Sequence, residues 1–554
     1  MTTFTTPTRR TDRTTGLHYA EAPVRQRAVL TCGSWRRVTR RIVCGLTCAL
    51  TVSSLLMPSV SFAAEWIEVD GAPYYAGASA GDGSTWAWDG ADDMTLNGYN
   101  GGGIAAGGKL NVSYEGNNTV ANEGGNGISV ENVTSESAEL NISGTGTLTV
   151  TAEGNALHSA GDMTISGTGT VNASGDVSGM HAENDLSINT SGTVNATGDV
   201  SGIYAENDLS INTSGTVTAK GTRAEGILAD GDITIAGGGT VDTISEQDFG
   251  IIAKETLTVS NSTLTAQGSR GGVCAFKGLT IDAATVRAYA YDTYVEDPVA
   301  ILTDEGDINI KNGSFVHAYA EGENAIGIYS YNYDTTGGPG GRIFISDSTV
   351  EAIAHYINYD GGNQPLPPIT NGDFVVVEPD VNARTFGILA FTEHGLTPAT
   401  ISITHSRVTA EGDTAAIMAV VNSADGSISG TINIVDSIIE TPNGGRICDV
   451  RFVATEPVDA PYQRGQTIGT ANDVITDLDS DAIAKRAVIV PAETPPAKPE
   501  SKPKVTTAAA TIKHVDTKGT LAATGDASAM GAVAAAITGM AAVVAGIFTS
   551  RKRS

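Results

Sequence analysis

Between residues 104 and 441 apolar and polar positions alternate in short runs, and the runs come in threes: Ile203-x-Ala205, Leu209-x-Ile211 and Val217-x-Ala219, separated by Asn-Asp and Ser-Gly turn chemistry. A period of two predicts strands, with the apolar set on one face and the polar set, such as Ser210 and Asn212, in water. The stretch Ser178–Val200 recurs from Ser201 to Arg223 with 17 of 23 positions unchanged. A fixed period of this length signals a solenoid. Three short strands per unit predict one coil of an all-β, right-handed parallel β-helix.

The coils can be counted by one apolar residue of the first strand: Ile104, Ile128, Leu157, Met180, Ile203, Ile227, Ile251, Val273, Ile301, Ile328, Ile388 and Ile417. The steps run from 22 to 29 residues, except one of 60 that carries an insertion. Adjacent coils should stack at about 4.8 Å, each equivalent residue on the next. No single coil can bury its own apolar face.

The flanks break this pattern. Residues 1–63 hold Arg36, Arg37, Arg40 and Arg41, then an apolar run from Ile42 to Met57, then small residues up to Ala63 and Ala64. That order is a secretory signal peptide with a long n-region, cut between Ala63 and Ala64. Residues 64–103 carry Trp66, Trp86 and Trp88 and are expected to cap the open end of the helix, which otherwise exposes apolar core and strand edges. Residues 442–490 are the expected C-terminal cap. From 491 to 520, Pro491, Pro495, Pro496, Pro499 and Pro503 alternate with Lys, Glu, Thr and Ala, a composition for a disordered, extended wall-spanning stalk. Residues 521–554 begin Leu521-Ala522-Ala523-Thr524-Gly525, continue in an apolar run from Ala529 to Phe548 that is long enough for one transmembrane helix, and end Arg551-Lys552-Arg553.

Composition narrows the function classes. The 554 residues include 66 Gly and 19 Pro, with 6% aromatic residues and a net charge of −29. Cleavage after Ala63 removes nine Arg and two acids and deepens the charge to −36. Such a surface repels nucleic acid and anionic lipid. Of five Cys, Cys32, Cys44 and Cys48 lie in the leader. Cys274 and Cys448 are separated by several coils, beyond the roughly 7 Å limit for a disulfide.

Thr85-Trp-Ala-Trp-Asp89, Leu96-Asn-Gly-Tyr-Asn-Gly-Gly-Gly-Ile104 and the recurrent Gly-Ile-x-Ala-x-x-Asp-Leu-x-Ile coils resemble the β-helical repeats of Gram-positive surface proteins, some of them named carbohydrate-binding domains. The similarity covers roughly residues 80 to 440. It implies an extracellular, non-enzymatic β-helix and transfers no catalytic residue. The C-terminal segment resembles the tripartite cell-wall sorting signal read by sortases, with Ala522 in place of the usual Pro, as in the Leu-Ala-x-Thr-Gly form of actinobacterial substrates. The resemblance implies sortase recognition of Leu521, Ala522, Ala523, Thr524 and Gly525, covalent attachment to peptidoglycan through Thr524, and a precursor that crosses the membrane once.

Candidate chemistry is sparse. Polysaccharide lyases and hydrolases on β-helices need clustered carboxylates with a metal or a base, or paired acids, and the coils contain no Asp-Asp pair. Arg287, His317 and Glu351 are expected to stack outward on successive coils as a polar ladder. Asp162, Asp185, Asp208, Asp232 and Asp307 share a column before the second strand, where Asp normally bonds its own backbone; no metal and no cofactor is assigned. Nine of 16 Tyr fall between residues 289 and 359. Of the aromatic residues, Tyr204, Tyr289, Tyr319, Tyr329, Tyr331 and Tyr333 are the ligand-binding candidates, because an amphipathic ring on an outward position can stack on a sugar or a partner protein. The residue after each counting position, from His158, His181 and Tyr204 to Tyr329, Leu389 and Met418, should form an outward stripe. The expected function is an adhesin or carbohydrate-binding module recognising a host or plant glycan or a surface protein. A polysaccharide-degrading enzyme and a passive coat spacer are the alternatives.

Overall fold

The computed structural model describes residues 64–133, 138–291, 297–322, 324–333, 341–356, 375–377, 385–393, 397–422, 428–453, 467–477 and 482–492. Two units divide the chain, Met1–Glu493 and Thr494–Ser554. The second unit, with the stalk beyond residue 492 and the sorting signal, lies outside the described residues, as do the signal peptide up to Ala63 and most of the insertion at 357–384.

The described residues contain strands and no helix. Each coil contributes one strand to each of three sheets, as Ser201–Ala205, Leu209–Asn212 and Thr216–Gly221 do for sheets I, II and III. Within a sheet, successive coils pair in parallel and without slippage: Ile203 stands between Met180 and Ile227, Leu209 between Leu186 and Ile233, Val217 between Val194 and Val241. All twelve counting residues form one continuous column of sheet I, from Ile104 to Ile417. The 60-residue step is therefore an excursion from one coil, since Ile328 pairs directly with Ile388. The register is fixed by the interior, where Ile203, Leu209, Ile211 and Val217 are all fully buried. A one-residue slip would turn each of them outward.

The corners between sheets have their own chemistry. Between sheets II and III, Thr213 Oγ1 donates to the Thr190 carbonyl at 2.8 Å and accepts the Gly215 N–H at 2.9 Å. Thr190 repeats the pattern one coil earlier. Between sheets III and I the chain turns against the neighbouring backbone: a Cβ on Gly202 would lie 2.5 Å from the Lys220 nitrogen and 2.7 Å from the Gly226 carbonyl oxygen. Before sheet II runs the aspartate column, and its bonds differ from the expected turn. Asp185 Oδ1 accepts the N–H of Asp208 at 3.2 Å and the side-chain amide of Asn207 at 2.6 Å. Asp162, Asp208 and Asp232 likewise each accept a backbone N–H of the following coil. Asp307 forms a two-point ion pair with Arg342, at 2.8 and 2.6 Å. The carboxylates are clasps between coils.

At the N-terminal end Trp66–Val69 pairs antiparallel both with Ala72–Tyr75 and with Ile104–Gly107, and Trp86 and Trp88 are buried. Further on, Arg446–Val453 pairs antiparallel with Thr467–Thr476, which reaches Met418 and Ala419, while Arg486–Pro491 pairs antiparallel with Arg407–Gly412. The described part of the insertion, Val375–Val377, pairs with Val450–Phe452. Cys274 is buried and Cys448 partly so, and both are free.

Candidate functional site

The outward positions of sheet III carry threonine through most of the coils: Thr147, Thr170, Thr193, Thr216, Thr240, Thr263 and Thr285 form one register column. Threonine suits a solvated, half-covered strand position, and by itself this array is ordinary sheet surface. The face changes at Thr285. The sheet III strands are six residues long from Thr147–Ala152 to Thr263–Gly268, then seven in Thr285–Tyr291 and eight in Phe315–Gly322 and Thr349–Tyr356. The sheet widens there, and alternation turns aromatic and ionisable side chains outward across it.

Three register rows define this patch: Arg287, His317 and Glu351; Tyr289, Tyr319 and Ile353; Tyr291, Glu321 and His355. The outward ladder expected for the first row is present. His317 Nδ1 lies 3.0 Å from Glu351 Oε2, and the Arg287 guanidinium stands 5.7 Å from the Phe315 ring centre. The Tyr319 hydroxyl donates to Glu321 at 2.9 Å; burial and that carboxylate together push its pKa up to about 12. The rings are tipped against each other. Tyr289 and His317 are 5.6 Å apart at 56°, Tyr319 and His355 5.7 Å apart at 65°, and Tyr289 and Tyr291 6.4 Å apart at 48°. The rings meet tilted or edge to face rather than in a continuous stack, and their half-exposed or exposed positions keep part of each within reach of solvent.

The second group of candidates lies on the outer face of sheet I. His158, His181, Tyr204, Leu228, Ile252, Cys274, Leu302, Tyr329, Leu389 and Met418 form the predicted stripe, in register throughout. Their rings are arranged differently from those of sheet III. His181 and Tyr204 stack at 4.8 Å and 10°, and Tyr331 stacks on Phe391 at 5.6 Å and 12°. Rings that stack from coil to coil spend their faces on each other. Elsewhere the stripe packs into itself: Cys274 and Met418 are 1% exposed, and Phe249 joins Ile252 and Cys274 in one apolar cluster. Burial first, and then the charge of Asp230, push the Tyr204 hydroxyl up to about 12. Tyr331 donates to Glu393, and Tyr329 and Tyr333 flank it at 5.8 and 6.4 Å. Tyr333 is 52% exposed.

The six tyrosines named from sequence thus divide between two faces, with Tyr289 and Tyr319 on sheet III, Tyr204, Tyr329 and Tyr331 on sheet I, and Tyr333 just past the end of the sheet I strand Ile326–Asn332. Sequence reasoning counted Tyr291 in the tyrosine cluster without selecting it as a ligand candidate, and it passed over Phe315 and His355; their signal is alternation, since each lies an even number of residues from a named outward position on its own strand, Tyr291 from Tyr289, Phe315 from His317 and His355 from Glu351. Among the described residues, one group of acids also comes together away from these faces, Asp89, Asp92 and Asp93, with carboxylate oxygens within 4.8 Å of one another. Asp89 Oδ1 accepts the N–H groups of Ala91 and Asp93, so this group is accounted for by its own loop.

A family model described as "Carbohydrate-binding domain-containing protein" matches residues 103–314. No curated protein and no solved structure matches the chain. The matched segment runs from the start of the coils to the residue before Phe315, and together with the all-β repeat it agrees with a carbohydrate-binding protein.

Proposed function

We propose that the protein is a non-catalytic carbohydrate-binding β-helix displayed on the cell surface, and that it holds a host or plant glycan against the widened part of sheet III. The observation that carries this reading is the orientation of the rings: Tyr289, Tyr291, His317, Tyr319 and His355 are tipped, half-exposed and side by side. A sugar presents C–H groups to such a platform, and aromatic residues in a patch of this kind dominate binding energy. The bound glycan would cross at least three coils, from Tyr289 to His355.

A glycan array probed with the full chain, followed by titration of the best ligand, tests the assignment. Tyr289→Ala and Tyr319→Ala are each expected to weaken binding about tenfold or more, whereas Tyr204→Ser leaves it unchanged. The opposite pattern would move the site to sheet I. A chain that recognises no glycan, plant or host, would overturn the reading.

Display rests on the order of the C-terminal segments. A sortase thiolate would attack the Thr524 carbonyl, Gly525 would leave with its freed amine, and a peptidoglycan amine would take the acyl group. Leu521, Ala522 and Ala523 would be read in the sortase groove while the apolar run holds the precursor in the membrane. Mass spectrometry of wall digests is expected to find Thr524 linked to a wall fragment. Intact Arg551–Ser554 on most displayed molecules would contradict it.

A further inference from the structure

The N-terminal end of the sheet I stripe carries an arrangement that glycan binding does not use. His158 lies 7% exposed between two acids: Glu131, which follows its register neighbour Ser129 by two residues in the preceding coil, and Glu183, which follows His181 by two in the next. Its Nε2 stands 3.4 Å from Glu183 Oε1. A carboxylate only accepts, so a neutral ring that gives its Nε2 proton to Glu183 carries its lone pair on Nδ1. That Nδ1 is buried and makes no hydrogen bond, and Glu131 Oε1 faces it at 3.9 Å. Three residues earlier, Asn155 Oδ1 is a second buried acceptor with no donor. Among the described residues, no Lys or Arg forms an ion pair with Glu131 or Glu183. The unbonded Nδ1 of one coil and the Glu131 carboxylate of the coil before it thus face each other across 3.9 Å.

We propose that His158 Nδ1 and Glu131 are the protein ligands of a divalent transition-metal ion, with Asn155 or water completing the shell. The donor set selects the ion: imidazole nitrogen with oxygen suits zinc, nickel or copper, whereas calcium and magnesium want oxygen alone. Glu183 is the outer partner that fixes the ring's tautomer, as carboxylates do for metal-bound histidines. Two ligands about 2.0–2.2 Å from one zinc stand about 3.4 Å apart in a tetrahedron. Glu131, half exposed, closes the present 3.9 Å by a small rotation. His181 also faces this ring, 5.4 Å away between centroids, and its own Nε2 lies 3.2 Å from Glu206 Oε1.

Calorimetric titration of the full chain with zinc, and with cobalt for its visible absorption, tests this. One ion per chain is expected, with a cobalt spectrum that reports nitrogen ligation. His158→Gln and Glu131→Gln should each weaken zinc at least tenfold. Glu183→Gln, which keeps an acceptor at Nε2, should cost less, and His181→Asn should change little. Circular dichroism and melting of each variant without metal show whether its fold is kept. Absence of zinc binding would mean that water alone satisfies Nδ1, and undiminished binding in a folded His158→Gln, or equal binding of calcium, would place the ion on exposed carboxylates. Any of these three results overturns the proposal without touching the glycan platform on sheet III.

Discussion

Ile211→Asp is expected to unfold the coils around it, while Ser210→Asp, one residue away, leaves the melting curve nearly where it was. Ile211 is fully buried in the column between Ile188 and Ile235, and Ser210 is half-exposed between Ser187 and Thr234. The first change removes a buried aliphatic side chain worth about 1.5–3 kcal/mol. It also leaves a carboxylate with no partner inside the stack, which costs several kcal/mol more or forces the group to take up a proton. The second lies within about 0.5 kcal/mol, as surface substitutions usually do. A solenoid transmits such damage through nearest neighbours, so the loss should appear as an early, broadened transition. Thermal unfolding of the two variants decides the matter; equal shifts would mean that the strand phase assigned to sheet II is wrong.

Gly202→Ala is expected to cost more than its single methyl suggests. The added Cβ would meet the Lys220 nitrogen and the Gly226 carbonyl oxygen, backbone atoms that cannot rotate away because the sheet ladders hold them. Overpacking of this kind costs about 1–3 kcal/mol. Gly124→Ala supplies the comparison, because a Cβ there finds nothing within 4 Å, and the lower backbone freedom of alanine makes the change neutral or slightly favourable. Coils that lack this glycine show what tolerance requires: Ala300 and Ala416 occupy the equivalent corner and are fully buried. Melting temperatures that fall equally in both variants would show that the corner is not closed by contact at Gly202.

Much of this fold is legible in sequence because a repeat prints the same rule many times. The twelve aliphatic positions from Ile104 to Ile417 need only period and hydrophobicity to be found, and the pairing of each with the next follows from stacking. The alignment of Arg287, His317 and Glu351 was readable for the same reason. Ring attitude was not. Alternation decides which side of a sheet Tyr204 or Tyr319 takes, yet the 10° stack on His181 and the 65° crossing with His355 depend on neighbours' rotamers. The aspartates illustrate the opposite error. A local turn bond was the natural reading, but Asp185 reaches a backbone 23 residues away because the next coil stacks directly on its own. The pairing of Val375–Val377 with Val450–Phe452 spans an insertion and obeys no period, so nothing in the sequence pattern announced it.

The clasps at Asp162, Asp185, Asp208 and Asp232 all point one way: the carboxylate belongs to the earlier coil and the N–H to the later one. These side-chain bonds therefore give the stack a polarity, while the backbone bonds beside them run the other way, as from Leu186 N–H to the Asp208 carbonyl. A finished coil offers a carboxylate acceptor to the coil that follows it. A stack that assembles from its amino-terminal coil meets those carboxylates in chain order, one turn at a time.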